Sequence, residues 1–182
     1  MWGHSPALDF QEENIKDNSD NKSLEVLTVG AKDPRHIIKT LASSSVNQKY
    51  FINFHVIESS LEPIARSILL LHICLEKDLG LQVIYHSASS FLKYKNKCEW
   101  VNKFDVIFIA HNMINHLVSI VPLMNKKGIL IVESRRLLVE AKKKELEEFS
   151  NELQNIAKSV GIKLFETFNP HDDNFARFVI DT

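Results

Sequence analysis

The sequence is short of the features that mark secreted, membrane-spanning or disulfide-bonded proteins. Among its 182 residues there are two cysteines, Cys74 and Cys98, too few and too far apart for a disulfide framework. No apolar run approaches the roughly 18 residues that a membrane span needs. The N-terminus lacks the basic and apolar segments of a secretory signal. We therefore expect a cytoplasmic protein without a membrane partner.

The charge balance also lacks any excess of one sign. The chain has 22 basic and 23 acidic residues and a formal net charge of −1. Nothing in this balance attracts nucleic acid or an anionic membrane over the whole surface. The basic run 142–144 is followed by Glu147 and Glu148 on a predicted helix, a pattern more typical of a solvated helix face. We expect no nucleic-acid partner.

Catalytic and metal-binding patterns are missing as well. No paired carboxylates, no Ser/His/Asp set and no Cys/His set stand out. His111 and His116 are five residues apart, which suits neither a helical pair of metal ligands nor a short clamp. The sequence therefore predicts no metal site and no catalytic residue.

What is present indicates a single α/β domain preceded by an N-terminal extension. Hydrophobic residues make up 45% and charged residues 25% of the chain, which is ordinary for a globular protein. Residues 1–23 read as a hook, with Trp2 and Leu8 as apolar anchors, followed by a mobile polar linker over 11–23. The hook could dock on the domain or on a partner. Residues 24–182 form the predicted domain.

The most informative stretch runs from Leu24 to Glu58. A β-branched strand ends at Gly30, and Asp33 and Pro34 resemble the N-cap and first residue of a helix. A second apolar strand follows and stops at Glu58. Strand, glycine turn, helix, strand and acid make up the first half of a Rossmann-type nucleotide-binding unit.

The nucleotide-binding fingerprint is incomplete, so two interpretations stay open. Only Gly30 of the three expected glycines is present, and Glu58 lies farther away than the roughly 20 residues that the fingerprint prescribes. In one interpretation Gly30 only turns the chain and Glu58 only starts the next helix. In the other, Gly30, Asp33 and Glu58 bind a cofactor: Glu58 accepts from ribose hydroxyls, and the amides near Asp33 face an anion or a carboxylate.

The remaining elements alternate between strand and helix patterns. A helix over 60–77 is apolar nearly all round, which predicts a deeply buried helix. The other predicted elements are strands at 81–85, 104–110 and 129–133, helices at 114–124 and 139–160, and a hairpin of 162–168 with 175–180. Alternating units predict an α/β fold: a mostly parallel sheet with helices on both faces and a C-terminal antiparallel β-hairpin.

Ligands of such sheets bind at the carboxyl ends of the strands. The residues delivered there would be Gly30, Asp33, Glu58, His86, His111, Asn112 and Glu133. The closing hairpin resembles the seven-stranded Rossmann-like fold of S-adenosylmethionine-dependent methyltransferases. Amino-group methyltransferases often carry an acid or Asn, two prolines and an aromatic after the fourth strand. Residues 110–113 read Ala-His-Asn-Met instead.

Longer strings carry a more specific resemblance. The segments WGHSPALD, VLTVGAKDPRHIIKTL and NFHVIESSLEPIARSILLL resemble the N-terminal part of the dynein assembly factor 3, axonemal family. FDVIFIAHNMINHL, GILIVESRRLLVEAKKKELEEF and the late FARF resemble its C-terminal part. The resemblance implies a cytoplasmic, methyltransferase-like protein without established catalysis that helps to pre-assemble axonemal dynein arms before their transport into cilia. Its implied partners are axonemal dynein subunits and assembly chaperones.

Three function hypotheses follow from this resemblance and from the residues. The first is a non-catalytic assembly factor without a cofactor. The alternative is an S-adenosylmethionine-dependent methyltransferase acting on a protein substrate. The third is a nucleotide-binding module without transfer chemistry. Relative to the family, the chain lacks a large middle region near 81–85, where it runs directly from EKDLGLQ into VIYHSAS.

Overall fold

The computed structural model describes residues 5–15, 23–47, 51–74, 81–87, 99–138 and 142–181. Within these ranges seven strands form one sheet in the order β3-β2-β1-β4-β5-β7-β6. They are β1 (Ser23–Val29), β2 (Phe51–Glu58), β3 (Leu81–Ser87), β4 (Phe104–Ile109), β5 (Met124–Glu133), β6 (Ile162–Leu164) and β7 (Phe175–Ile180). Strands β1 to β5 pair in parallel, and β7 runs antiparallel to β5 and β6. The predicted mostly parallel sheet with a closing antiparallel hairpin is confirmed.

Helices lie on both faces of the sheet, because alternate residues of the strands point to opposite sides. One core contains Leu27 of β1 and Phe149 of the long C-terminal helix, and the other contains Val26 of β1 and Ile37 of the first long helix. The described helices are α1 (Phe10–Glu13), α2 (Arg35–Asn47), α3 (Leu61–Cys74), α4 (Leu117–Ile120) and α5 (Lys143–Ser159). In the part of the chain that the structure describes, no helix has the length and apolarity to cross a membrane.

Helix α5 confirms the face that its sequence pattern predicts. Four apolar side chains at spacings of three and four are buried: Leu146, Phe149, Leu153 and Ala157. The helix begins at Lys143, where the Glu145 carboxylate accepts a hydrogen bond from the Lys142 amide at 3.1 Å. Residues 139–141 of the predicted helix lie outside the described residues.

Helix α3 does not have the burial that its sequence predicts. Four large aliphatic side chains are more than half exposed: Leu61, Ile68, Leu69 and Ile73. Only Ser67 and Leu71 of this helix are buried. The prediction of a deeply buried helix was wrong because a helix that is apolar all round does not indicate which side packs, and α3 covers the sheet with one side only. Residues 75–77 lie outside the described residues.

The segment before β5 also differs from its prediction. Instead of a helix over 114–124, two 3₁₀ turns, His111–His116 and Val121–Leu123, flank the four-residue α4. Strand β5 starts at Met124, because Met124 pairs with Phe104 across a register shift relative to β4. Gly128 belongs to this irregularity and does not end a helix: a Cβ there would lie 2.9 Å from the Phe104 carbonyl oxygen.

The N-terminal segment packs on the domain over residues 5–13. The Phe10 side chain is fully buried, and its amide donates to Thr40 Oγ1 at 3.0 Å. Arg177 of β7 makes two hydrogen bonds of 2.7 Å with the Glu13 carboxylate. Residues 11–13, predicted as linker, are therefore helical and bound to the sheet. Trp2 and linker residues 16–22 lie outside the described residues, and the division of the chain at residue 23 stays a prediction.

Candidate functional site

Gly30 makes the turn that follows β1. Its φ of +70° lies in the left-handed region that favours glycine, and its amide donates to the Ile57 carbonyl at 2.9 Å. A Cβ at this position would lie 2.9 Å from Cγ of Met113, which belongs to the 3₁₀ turn after β4. Gly30 is thus required by its backbone angle and by the close approach of Met113.

Glu58, the last residue of β2, holds the loop after Gly30. The Lys32 amide donates to Glu58 Oε1 at 2.8 Å, and Lys32 itself has a φ of +65°. The Glu58 side chain is buried. Burial raises the pKa of Glu58 above its ordinary value, although the Lys32 amide bond and the Lys32 charge oppose the rise. The carboxylate therefore acts on the chain's own backbone.

Asp33 is bound to the start of α2. Its Oδ1 accepts from the Arg35 amide at 3.1 Å, and its Oδ2 lies 3.4 Å from Nη1 of Arg35. The helix begins at Arg35, since the Pro34 carbonyl accepts from the Ile38 amide at 2.9 Å. The Asp33 side chain thus accepts from an amide at the start of the helix, as the sequence predicts for this residue.

The three candidate cofactor residues do not fit a bound S-adenosylmethionine in this arrangement. Met113 lies against Gly30 where a ligand would need to approach the backbone. One oxygen of Glu58 is bonded to the Lys32 amide, and the Asp33 carboxylate is bonded to Arg35. A cofactor would require the loop over residues 30–34 to move.

A second polar network lies at the end of β5, around Glu133. Its Oε1 accepts from Ser5 Oγ at 2.5 Å and from Nη2 of Arg35 at 2.9 Å. Its Oε2 lies 3.5 Å from Nδ1 of His111. Arg35 also contacts Asp33, so its guanidinium joins this network to the loop after β1.

The electrostatics of this network follow from burial and close charge. Burial alone would raise the pKa of Glu133, but hydrogen bonds from His111 and Ser5 and the Arg35 charge lower it to about 2. Burial, together with the Arg35 charge, lowers the pKa of the neighbouring His36 to about 3. The Leu8 amide donates to Nδ1 of His36 at 3.0 Å, and Nε of Arg35 donates to its Nε2 at 3.3 Å.

The sequence predicted seven candidate residues at the carboxyl ends of the strands. The structure brings some of them into contact and places others apart. Glu58 binds the loop that follows Gly30, and the Gly30 amide donates to the residue before Glu58. His111 lies 3.5 Å from Glu133. Asn112 is exposed in the 3₁₀ turn. His86 stands in register with Ile57, so its side chain lies on the face of the sheet opposite to that of Glu58.

Four residues of this site were not predicted from the sequence: Ser5, Arg35, His36 and Met113. Ser5 lies 128 residues from Glu133 along the chain, and no local pattern links the two. Arg35 carried a weak signal, because an arginine in the first turn of a helix stands close to the preceding acid. Among the described residues, no three His, Cys, Asp or Glu side chains are arranged to hold a metal ion.

Known structures with a similar fold are methyltransferases and a related RNA-processing protein. A SAM-dependent methyltransferase from Aquifex aeolicus superposes with a TM-score of 0.59 at 16% identity, over 96% of this chain and 91% of that one. The fibrillarin pre-rRNA processing protein of Methanococcus jannaschii gives a TM-score of 0.54 at 19% identity, over 98% and 77%. At these identities the likeness establishes the Rossmann-like methyltransferase fold alone.

Sequence comparisons give a family. Residues 1–92 match the model of the domain of unknown function DUF4470. Dynein axonemal assembly factor 3 of Rattus norvegicus is 32% identical over 134 residues, which cover 66% of this chain and 22% of the rat protein. The Homo sapiens protein of that name is 37% identical over 91 residues, covering 44% and 17%. The matched segments thus span about a fifth of these relatives, and the chain belongs to the DUF4470 domain family and to the family of dynein axonemal assembly factor 3.

Proposed function

We propose that this chain is a non-catalytic factor in the assembly of axonemal dynein. It acts in the cytoplasm, where dynein arms are pre-assembled before their transport into cilia. Its Rossmann-like body serves as a scaffold for axonemal dynein subunits and assembly chaperones. The names of its relatives support a role in dynein assembly. The contacts at the carboxyl ends of the strands support the absence of catalysis.

The observation that carries this proposal is the bond between the Lys32 amide and the Glu58 carboxylate. A cofactor's ribose needs an acceptor at this strand end. Here the chain's own loop uses an oxygen of that acceptor at 2.8 Å. Met113 covers the turn at Gly30 from the side of β4. These contacts occupy the strand end with groups of the chain itself, which supports a scaffold whose outer surface, and not this site, carries the function.

The turn after β4 supports the same proposal. In this turn His111 lies 3.5 Å from the Glu133 carboxylate, and Met113 packs on Gly30. Both side chains therefore serve packing and charge compensation within the domain.

The alternative proposal is an S-adenosylmethionine-dependent methyltransferase that modifies a protein substrate. The adjacency of Gly30 and Glu58 on neighbouring strands favours it, because the Gly30 amide is bonded to the residue before Glu58. In this alternative Gly30, Asp33 and Glu58 bind the cofactor after the loop opens. It requires both the Lys32–Glu58 bond and the Met113 contact to break.

Isothermal titration of the purified chain with S-adenosylmethionine and S-adenosylhomocysteine separates the two. We expect no binding heat from a sample whose fold is verified by circular dichroism. Micromolar binding that disappears in Glu58→Ala would support the methyltransferase. The exposed acid Glu62, at the start of α3, provides the control variant Glu62→Ala.

A cellular test addresses the assembly role. Cells that build motile cilia and lack the endogenous gene are supplied with the wild-type chain or with Glu58→Ala, and outer and inner dynein arms are counted by electron microscopy. The scaffold proposal expects both to restore the arms equally at equal protein level. Restoration by the wild type alone would favour catalysis, and restoration by neither would contradict a role of this chain in dynein assembly.

A further inference from the structure

A cluster of polar side chains lies on the face of the sheet opposite to that of Glu58. It contains Glu25 of β1, His55 of β2, His86 of β3 and Lys103, which precedes β4. We refer to these four residues as the histidine cluster. Trp100 covers it and is itself buried, and His55 is only 5% exposed.

The two histidine rings meet end to end. His55 Nδ1 lies 3.3 Å from His86 Nε2, and the ring planes differ by only 1° at a centroid distance of 5.5 Å. Coplanar rings with facing nitrogens fit an N–H···N hydrogen bond. In such a bond one ring supplies the proton and the other the lone pair.

The contacts on the other side of His55 set the direction of this bond. Lys103 Nζ lies 3.2 Å from His55 Nε2, and an ammonium group can only donate. His55 therefore accepts at Nε2, carries its proton on Nδ1 and donates to His86. Glu25 Oε2 lies 3.6 Å from His55 Nε2 and 3.5 Å from Lys103 Nζ, so it forms an ion pair with Lys103 but accepts no hydrogen bond.

We propose that the histidine cluster is a proton-linked switch, in which uptake of one proton reverses the His55–His86 hydrogen bond and displaces Lys103 from His55. The proton enters at His55 Nε2 and forms an N–H bond there. The N–H bond at His55 Nδ1 breaks as its proton moves to His86 Nε2. One proton is bound in total, His86 becomes an imidazolium, and His55 stays neutral in its other tautomer.

Each state of the switch has its own set of partners. After proton uptake, His55 Nε2–H faces Glu25 Oε2, which gains the donor that it lacks, and the Glu25 carboxylate offsets the new charge. Lys103 cannot stay beside an N–H donor. Lys103 retains its contacts with Glu25 Oε2, 3.5 Å from its Nζ, and with the Phe104 ring, whose centroid is 5.6 Å from its Nζ.

The charged groups that face His86 among the described residues come from each neighbouring element. They are Glu25 on β1, His55 on β2 and Lys103 before β4. Burial and then the neighbouring His55 and Lys103 lower the pKa of His86 below its ordinary value. The cluster is therefore in its neutral state near neutral pH and takes up the proton on acidification.

The switch acts on the turn that leads into β4. Trp100 meets both rings edge to face, with centroids 5.4 Å from His55 and 5.0 Å from His86. The Lys103 amide donates to the Leu123 carbonyl at 3.0 Å, so the turn is tied to the segment before β5. Proton uptake changes the packing of this turn on the sheet and leaves the carboxyl-end contacts of Glu58 and Glu133 in place.

Nitrogen-15 NMR of the histidine rings in the full wild-type chain, from pH 8 to pH 5, tests the proposal without any substitution. We expect His55 to change from the Nδ1–H to the Nε2–H tautomer at the pH where His86 becomes charged. The exposed His72 lies outside the cluster and serves as the control ring. Independent midpoints for His55 and His86, or an Nε2–H tautomer of His55 at pH 8, would overturn the proposal.

Fluorescence of Trp100 provides the second test. The chain has two tryptophans, so Trp2→Phe leaves Trp100 as the reporter. In that background we expect a pH transition that Lys103→Met moves to higher pH, Glu25→Gln moves to lower pH, His86→Gln abolishes and His72→Gln leaves unchanged. Circular dichroism verifies the fold of each variant. An unchanged transition in folded His86→Gln would refute the switch.

Discussion

Glu58 and Glu133 occupy equivalent places and have opposite electrostatics. Each is the last residue of a parallel strand, and each side chain is buried at the carboxyl end of the sheet. Burial raises the pKa of Glu58, which accepts a hydrogen bond from the Lys32 backbone amide. Glu133 has Ser5, Arg35 and His111 around it, and these lower its pKa to about 2 against the effect of burial.

The difference between these acids lies in the partners that distant parts of the chain supply. Ser5 comes from the N-terminal segment, Arg35 from the start of α2 and His111 from the turn after β4. Glu133 therefore ties three segments together, whereas Glu58 holds only the loop that follows β1. The Glu133 network is consequently the stronger structural element, and the Glu58 loop is the one that could open.

The largest expected effect is that of Glu133→Ala. Removing this carboxylate leaves the largely buried Arg35 guanidinium without its 2.9 Å partner, which we expect to lower the free energy of unfolding by about 3–5 kcal/mol. Urea denaturation measures the change. The matched control is Glu166→Ala, which removes a half-exposed partner of Arg177 and should cost less than about 1 kcal/mol. Equal losses in the two variants would contradict a special role of Glu133.

The two acids should change the stability of the fold with pH in opposite directions. Because the pKa of folded Glu133 lies near 2 instead of 4.5, its contribution of about 3 kcal/mol is present above pH 4.5 and disappears as the pH falls toward 2. The folded Glu58 has a raised pKa, so its ionisation costs stability as the pH rises from 4.5 through that pKa.

The measurement is the urea midpoint of the wild type, Glu133→Gln and Glu58→Gln at several pH values. The stability advantage of the wild type over Glu133→Gln should shrink below pH 4.5. Relative to Glu58→Gln, the wild type should lose stability as the pH rises above 4.5. Parallel curves for the two variants would contradict the opposite pKa shifts.

Gly30→Ala tests how tightly the Glu58 side of the site is closed. The substitution combines a left-handed backbone with a Cβ only 2.9 Å from Met113, and we expect a loss of about 2–3 kcal/mol. Gly161→Ala is the control, since Gly161 has a φ of +74° but nothing within 4 Å of a Cβ. Its cost should be about 1 kcal/mol, from the backbone alone. Similar decreases of the unfolding temperature in the two variants would indicate that the Met113 side chain moves aside at little cost.

The smallest expected effect is that of Lys32→Gly. Lys32 has a φ of +65°, so glycine relieves the strain of a side chain in the left-handed region while keeping the amide that bonds Glu58. We expect stability to rise by about 0.5 kcal/mol. Lys32→Ala, which keeps the backbone strain, should not show this rise. Thermal unfolding of both variants measures the difference, and a clear loss in Lys32→Gly would show that the Lys32 side chain itself matters.

Part of the fold and of the site could be predicted from local pattern. The spacing of Leu146, Phe149 and Leu153 was enough to define the buried face of α5, because one polar side distinguishes it. Helix α3 has few polar residues, so its sequence pattern did not distinguish the outward side, which carries Ile68 and Leu69. The turn at Gly30 was predictable from strand and glycine, but the Met113 contact was not, because it joins two segments far apart in the chain.

The sequence by itself determined the alternation of strands and helices, the glycine turn after β1 and the acids at the ends of β2 and β5. These features depend on side-chain periodicity and backbone preference, which act between neighbours in the chain. The tertiary structure decided what those acids do. Their partners are Lys32, Ser5, Arg35 and His111, and only the close approach of the strand ends brings these groups within hydrogen-bond reach of the two carboxylates.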